Sequence, residues 1–416
     1  MRIILYGIHY KPEPVGVGKY SGELAYWLNQ KGHIVRVITG QPYYPKWKLG
    51  NGDFNVVNRY SEEWLEGVEV MRCPLWVPHR PNGLKRLLHL ASFALLSLPV
   101  VLSQRGWRPD VVLTVAPAFF CAPGALLLGR LCGEGCHGWL HIQDFELDVA
   151  FELGLLKGRW MRELAEGWER RTLRGFERVS SISAAMVERA RRKGVAAERA
   201  VLLPNWVDLE AIRPLEEEER QAARQELGVP EGAVVLQYSG SMNKKQGLEV
   251  LVAAMEELQD LPQLVWLLAG EGPSKEALAE ATAGRANVRL LPLQPVERLN
   301  GWLNLADVHL LPQKAGAADL VLPSKMLGMM ASGRPVVAST PGGSELGELA
   351  ELAGLRVDPE DGRAFAAAVR RLVLDEGLRK QLGAKARQLA EERFGHEVVL
   401  EHLERELEAL VASRGN

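Results

Sequence analysis

Cysteine is scarce in this chain: four residues, Cys73, Cys121, Cys132 and Cys136, among 416. That density excludes a disulfide-stapled framework, and reduced thiols are expected. A secretory leader is missing from the first residues as well. MRIILYGIHY is a strand-like run that meets a Pro-Gly segment within ten residues, which leaves no room for an apolar core and a small-residue cleavage site. The expected location is cytoplasmic. No period of 20 to 50 residues recurs, which excludes a solenoid. One apolar stretch, LKRLLHLASFALLSLPVVL (84–102), is only marginally long enough to span a bilayer, contains Pro99, and is interrupted by His89 and several serines. A helix packed against the following strand DVVLTVA is expected. Interfacial docking of that helix, with Lys85 and Arg86 on an anionic membrane surface, is the alternative.

Metal chemistry lacks its usual residues too. No Asp-x-Asp stands at a strand end, and Cys132, Cys136, His137 and His141 have poor spacing for a tetrahedral zinc site, with no second paired cluster. No metal, cofactor or nucleic-acid partner is expected.

What is present is the composition of a globular protein, 47% hydrophobic and 25% charged, with a net charge of −2. The charge is uneven. Residues 1–205 carry 27 Lys and Arg against 19 Asp and Glu, a balance of +8, and the remainder carries 23 against 33, a balance of −10. Such asymmetry suits an anionic surface or ligand on the N-terminal half, or simply unevenly solvated faces.

Strand-like runs alternate with amphipathic stretches: RIILYG, HIVRVITG, DVVLTVA, HGWLHIQDF and RVSSIS, then AVVLQYSGS, LVWLLAGEG, NVRLLPLQ, VHLLPQ and RPVVAST. Alternation of this kind builds βα units on parallel sheets, so the expected fold class is α/β with two Rossmann-like domains. The proline-rich, acidic segment 203–233 separates them. The expected division is 1–205, 206–390, and a C-terminal helix over 391–416 that could pack back on the first domain.

Gly16-Val17-Gly18-Lys19 follows the first strand. A Walker loop would need glycine where Glu13 stands and Ser or Thr where Tyr20 stands. A dinucleotide fingerprint would need a carboxylate at the end of the second strand, which reads Val37-Ile38-Thr39-Gly40. What survives is a glycine loop at a helix N-terminus, where backbone N–H groups and the helix dipole favour an anion.

The second half holds three comparable segments: Ser239-Gly240-Ser241 through Lys244, Lys245, Gln246 and Gly247; Ala269-Gly270-Glu271-Gly272-Pro273; and Pro323-Ser324-Lys325 with Gly333-Arg334-Pro335 beyond it. Such loops are expected at the carboxyl edge of an open sheet, where ligands bind. Lys244, Lys245 and Lys325 would bring positive charge there, and Ser324 could cap a helix beginning near Lys325. Together they describe a diphosphate site.

With His141-Ile142-Gln143-Asp144, Ser181-Ile182-Ser183, Pro204-Asn205-Trp206-Val207-Asp208 and Met330-Ala331-Ser332-Gly333-Arg334-Pro335, these segments make the chain resemble the GT-B-fold glycosyltransferases of family 4. Within that family it is similar to the colanic-acid-type members of exopolysaccharide synthesis. The resemblance implies a retaining, metal-independent transferase with its active site in a cleft between an acceptor-binding N-terminal domain and a nucleotide-sugar-binding C-terminal domain. The acceptor would be a sugar, an oligosaccharide or a polyprenyl-diphosphate-linked sugar. By the same resemblance, donor phosphate would meet Gly16, Gly18, Lys19, Gly240, Ser241, Lys244, Lys245, Gly270, Glu271, Gly272, Pro323, Ser324 and Lys325. Asp144 is the leading catalytic candidate, with His141 and Gln143 beside it and Glu146 or Asp148 as substitutes.

The chain departs from the family pattern at three positions. Ser241 stands where many members have Arg, Gln246 displaces a Lys, and Gly328 stands where relatives have a ribose-binding Glu, with Asp319 or Glu345 as stand-ins. A nucleotide-sugar 2-epimerase of the same fold, or a non-catalytic nucleotide-sugar-binding paralogue, is the alternative reading.

Overall fold

A computed structural model describes residues 1–14, 16–52, 57–117, 119–148, 159–317 and 323–413. The chain forms two compact units: Met1–Leu203 together with Leu400–Asn416, and Pro204–Val399.

The first unit is built on an eight-stranded sheet. Its strands are β1 (Arg2–Gly7), β2 (Ile34–Gly40), β3 (Ser61–Leu65), β4 (Val68–Cys73), β5 (Val111–Ala116), β6 (His137–Ile142), β7 (Arg178–Ser181) and β8 (Ala200–Leu202), in the order β3-β4-β2-β1-β5-β6-β7-β8. All pairings are parallel except β3 with β4. Every residue of β5 and β6 is buried. Strands covered on both faces read as continuous apolar runs instead of alternating ones, which is the pattern of VVLTVA. The antiparallel edge was not among the expected strands. It is a hairpin whose two-residue turn, Glu66-Gly67, takes φ of 52° and 83°, the left-handed pair that suits the twist of a tight hairpin.

Helix α1 (Val17–Gln30) follows β1, α2 (Gly83–Ser103) follows the hairpin, and α3 (Ala122–Cys132) follows β5. The apolar stretch 84–102 is indeed helical, and α2 packs on α3, on the turn Phe119–Cys121 and on β2 and β4, its buried Leu90, Phe93 and Val101 sharing a core with Val112 of β5. Both of its faces are mixed in polarity. The buried face carries His89, Leu90, Phe93, Ser97 and Val101, while Leu84, Leu88, Leu95 and Leu96 are 59%, 53%, 70% and 39% exposed. The buried polar groups are partnered, as burial requires: Tyr6 Oη and Ser97 Oγ are 2.6 Å apart, and His89 Nδ1 lies 2.5 Å from the Trp76 carbonyl oxygen. This is the one helix among the described residues long and apolar enough to cross a membrane.

The second unit holds a six-stranded parallel sheet: β9 (Val234–Ser239), β10 (Leu264–Ala269), β11 (Val288–Leu291), β12 (Val308–Pro312), β13 (Val336–Ser339) and β14 (Gly354–Val357), ordered β11-β10-β9-β12-β13-β14. The terminal helix His396–Ala412 supplies the first unit with Glu404, whose Oε1 lies 2.9 Å from His33 Nε2.

Asp307 pins the amino edge of the second sheet. Its carboxylate accepts from the Val235 N–H at 2.7 Å, from Arg224 at 2.7 Å, and from Arg220. Burial pushes this carboxyl up, but Arg220 and Arg224 outweigh it and hold it below its ordinary 3.8. A carboxyl depressed in the folded state stabilises above its unfolded value and loses that contribution as pH falls. Asp307→Ala removes the counter-charge of the buried Arg224 and leaves Arg220 only the exposed Glu217 at 3.4 Å, so urea denaturation at pH 7 should show a loss of about 3–5 kcal/mol. The loss should shrink as pH falls below about 4, because the unfolded wild-type chain then takes up a proton that the folded carboxylate resists, until both are protonated below the folded value.

Candidate functional site

The second unit gathers its polar groups at the carboxyl ends of β9, β10 and β12. After β9 the chain turns at Gly240, with φ of 138°, and passes the buried Met242 into a short turn at Lys244–Gln246. Asn243 Oδ1 accepts from the Lys245 N–H at 3.0 Å, and Gly247, at φ 62°, closes the turn.

The loop after β10 lies directly against this one. Met242 N–H donates to Glu271 O at 2.8 Å, and Ser274 N–H donates to Met242 O at 2.8 Å. A Cβ at position 270 would stand 2.0 Å from Gly240 O, and one at 272 would stand 2.4 Å from Met242 O. Gly270 and Gly272 are therefore required by loop-on-loop contact, whatever they present to a ligand. Glu271 is exposed and pairs with Lys275 at 2.7 Å.

Lys325 is the centre of this edge. It stands in the first turn of the helix Ser324–Ala331. Its ammonium donates to Gln246 Oε1 at 2.5 Å and lies 4.8 Å from the centroid of the Tyr238 ring, and its stem passes over Gly240. No carboxylate pairs with it among the described residues. Burial pulls it down from 10.5 to about 7. A buried cation at a helix N-terminus also opposes the helix dipole, so both effects favour an arriving anion.

Several expectations change at this edge. Ser324 does not cap its helix: Pro323 occupies the cap, with φ −62° and ψ 122°, and Ser324 is already helical, so its hydroxyl cannot reach back to the first free N–H groups. Gly333-Arg334-Pro335 leads into β13 and thus belongs to the amino edge, away from Lys325. Gln246, in the position of an expected Lys, anchors Lys325. Lys244 and Lys245 are exposed on the turn, and Ser241 Oγ accepts from Asn243 Nδ2 at 3.1 Å. A side chain at Gly328 would begin 3.3 Å from Leu303 Cδ1. Glu345 begins the helix Glu345–Ala353, and Asp319 lies outside the described residues.

In the first unit, His141 is buried in β6. Its Nδ1 is 2.9 Å from Ser180 Oγ, which also accepts from Trp139 Nε1 at 2.8 Å, and its Nε2 is 3.1 Å from Gln143 Nε2. These contacts fit a neutral ring with its proton on Nδ1, and burial pulls its pKa down to about 4. His141 and Gln143 therefore form a strand-end scaffold, and the exposed group it carries forward is Asp144. Of the two substitutes, Asp148 is tied to Arg189 at 2.8 Å and Lys193 at 2.9 Å. Glu146 Oε1 accepts from the Phe119 N–H at 2.8 Å.

Asp144 and Glu146 line a cavity of about 430 Å³ whose wall also includes Gly16, Tyr43, Trp47 and Arg86. Lys19 does not join them. It lines a second cavity of about 730 Å³ with Lys11 and Arg72, and its ammonium is 3.8 Å from Glu23 Oε1. Gly18 is buried, and a Cβ there would stand 2.7 Å from Glu13 Cβ.

Glu13 was missed in the sequence, where it served only to exclude a Walker loop. Almost fully buried, its Oε1 accepts from the Tyr43 N–H at 3.1 Å and the Tyr44 N–H at 3.0 Å, and its Oε2 lies 2.7 Å from His9 Nδ1. One carboxylate thus fixes an imidazole and an aromatic wall. The only local signal was an acid between two prolines, Pro12-Glu13-Pro14.

The Cys132, Cys136, His137 and His141 set does not form a metal site: among the described residues no three His, Cys, Asp or Glu side chains are grouped to hold an ion.

Comparison with known proteins adds sequence and fold relatives. Residues 15–206 match the family model described as "Glycosyl transferase 4-like domain", and residues 233–375 match "Glycosyl transferases group 1". The chain is 41% identical over 383 residues to the glycosyl transferase WcaI of Escherichia coli (strain K12), whose name assigns it to colanic acid biosynthesis; the match covers 90% of this chain and 92% of that protein. Two solved structures share the fold. Sucrose-phosphate synthase from Thermosynechococcus elongatus superposes with a TM-score of 0.75 at 20% identity, covering 99% of this chain and 100% of that one. Anabaena Alr3699/HepE in complex with UDP-glucose superposes with a TM-score of 0.67 at 15% identity, covering 98% and 100%.

The buried lysine makes a prediction that needs no ligand. A base whose folded pKa lies below its unfolded value costs most stability at low pH, and the cost fades as pH rises from the folded toward the unfolded value. Lys325→Met should therefore melt higher than wild type at pH 6, with the gap narrowing between pH 7 and pH 10. Differential scanning calorimetry across that range checks it.

Proposed function

Because the chain belongs to the family 4 glycosyltransferases of GT-B fold, we propose that it transfers a sugar from a nucleotide-diphosphate sugar, held by the second unit, to a lipid-linked or oligosaccharide acceptor held by the first. The reaction retains the anomeric configuration, needs no metal, and serves exopolysaccharide synthesis. The observation that carries this reading is Lys325: a half-buried side chain with no carboxylate partner among the described residues, in the first turn of a helix whose N–H groups have no side-chain cap. The WcaI relative supports the polysaccharide context, and the UDP-glucose bound by HepE supports the class of donor.

As the bond from the anomeric carbon to the diphosphate breaks, its electron pair passes to a phosphate oxygen. Lys325 and the helix N-terminus are placed to stabilise charge of that kind, and removal of one preorganised donor of this sort typically costs about 10²–10³ in rate. The exposed turn at Lys244 and Lys245 adds longer-range attraction for the phosphates. In the first unit Asp144 orients the reacting sugar or assists the loss of the acceptor proton.

The acceptor is best supplied from a membrane surface. Helix α2 turns Leu84, Leu88, Leu95 and Leu96 outward and carries Lys85 and Arg86 at its N-terminal end, a combination that suits interfacial docking on anionic lipid at the inner face of the cell membrane. Gly83, Arg86, Leu87 and Leu90 of the same helix line the cavity of the first unit, so a lipid-linked sugar could enter beside its anchor.

Radiolabelled-sugar transfer tests the catalytic reading. Lys325→Ala should lower turnover by about 10²-fold or more, and wild-type activity in a Lys245→Ala, Lys325→Ala double variant would refute the site. Binding of a diphosphate raises the depressed Lys325 pKa, so UDP binding at pH 8 should take up most of one proton. Calorimetry in buffers of different ionisation enthalpy reads that uptake, and it should vanish in Lys325→Met. Sedimentation with vesicles of anionic lipid should capture the protein, and a Leu84→Ser, Leu88→Ser, Leu95→Ser variant should stay in the supernatant; equal recovery of the two would exclude docking through α2.

A further inference from the structure

We propose that two imidazoles in the wall of the first unit's cavity, His9 and His89, read the hydroxyl groups of the acceptor sugar and set acceptor specificity. The inference rests on the acceptor role given to this unit above. Each ring has its Nδ1 committed to a protein acceptor. His9 Nδ1 faces Glu13 Oε2 at 2.7 Å, and His89 Nδ1 faces the Trp76 carbonyl oxygen at 2.5 Å. Neither oxygen can donate while Glu13 is ionised, so the Nδ1 atoms carry the protons and, in the neutral rings, both Nε2 atoms are left as lone-pair acceptors.

The two Nε2 atoms meet different surroundings. That of His9 lies 3.3 Å from the Tyr43 hydroxyl, a long contact that a better-placed donor could displace or extend. That of His89 has no hydrogen-bond partner among the described residues, although the ring is only 1% exposed. Burial keeps the His89 ring neutral by pulling its pKa down to about 4, so the atom is an acceptor throughout the physiological range. An unpaired buried acceptor is costly, and His89 is one of the residues that line the cavity.

The rest of the wall indicates what carries that donor. Tyr43 packs edge-on against His89 with centroids 4.5 Å apart, Trp47 lies 5.3 Å from the same ring, and Tyr44 packs edge-on against His9 at 5.5 Å. Aromatic faces of this kind suit the C–H faces of a pyranose, while Arg86, Asp144 and Glu146 offer a mixed-charge rim for its outward hydroxyls. A nucleotide phosphate would meet two carboxylates there, and a purely apolar ligand would leave His89 Nε2 unpaired. A polyhydroxylated ring satisfies both demands. Sites that pair buried polar groups with a substrate hydroxyl reject analogues lacking it by large factors, and for this reason the imidazoles govern specificity and do more than add affinity.

Titration of the full-length protein with n-octyl β-D-glucoside, galactoside and mannoside, each below its micellar concentration and read by tryptophan fluorescence, tests the proposal. At least one glycoside should bind saturably. His89→Leu and His9→Phe should each weaken it tenfold or more, and His89→Gln, whose amide oxygen keeps an acceptor, should weaken it less than threefold. UDP affinity should stay at the wild-type value in all three. Absence of binding by every glycoside, equal affinity in His89→Leu, or a parallel fall in UDP affinity would overturn the proposal. Should a variant fail to fold, ¹⁵N-histidine spectra of the wild type decide instead: the Nε2 resonances of His9 and His89 should be unprotonated and should shift on glycoside addition, and unperturbed rings would refute the role. UDP binding and sugar transfer by the wild type are measured separately, so failure of the transferase reading is distinguishable from failure of the imidazole pair.

Discussion

Both sheets are covered on their two faces, and that single constraint decides where chemistry can occur. A strand such as β5 or β10, buried along its whole length, can display no polar side chain to a ligand without breaking its packing. Polar work is exported to the loops at the carboxyl ends, where the chain leaves the sheet and the next helix begins. In the second unit that export concentrates on Lys325, and in the first unit on the loops that carry His9, Glu13 and Asp144. The amino edges receive the structural charges instead, as the Asp307 cluster with Arg220 and Arg224 shows.

Glycine serves two purposes at these ends. At Gly240 the backbone takes a conformation that side chains avoid, so that the stem of Lys325 can pass over it. At Gly270 and Gly272 the need is steric: two neighbouring loops approach until a methyl group would collide with a carbonyl oxygen. A glycine-rich motif read as a phosphate cradle can equally be a packing joint, and here the joint positions the turn that anchors the lysine through Gln246.

The strands announced themselves in the sequence because parallel, doubly covered strands are written as unbroken apolar runs. All ten expected runs contain strands. The β3–β4 hairpin escaped because its edge strand, Ser61–Leu65, is short, largely exposed and opens on Ser-Glu-Glu instead of an apolar run, and its Glu-Gly turn is a weaker signal than Asn-Gly. The further neighbours of α2, among them β2, β4 and α3, were not legible, because periodicity tells that a helix is amphipathic but not which elements it covers. Site residues on glycine loops were legible as candidates because spacing marks them. Glu13, His9 and His89 were not, because their importance lies in who meets whom: an acid near the start of the chain holding the amides of residues 43 and 44, and an imidazole of α2 held by a carbonyl 13 residues earlier.

The exposed leucines of α2 also bear on how the chain behaves in water. The helix buries Leu90, Phe93 and Val101 together with His89 and Ser97, and leaves Leu84, Leu88, Leu95 and Leu96 as an exposed apolar surface. With a net charge of only −2 across 416 residues, long-range repulsion offers little protection against self-association. The exposed leucines of α2 therefore add to the apolar surface through which the purified chain can self-associate.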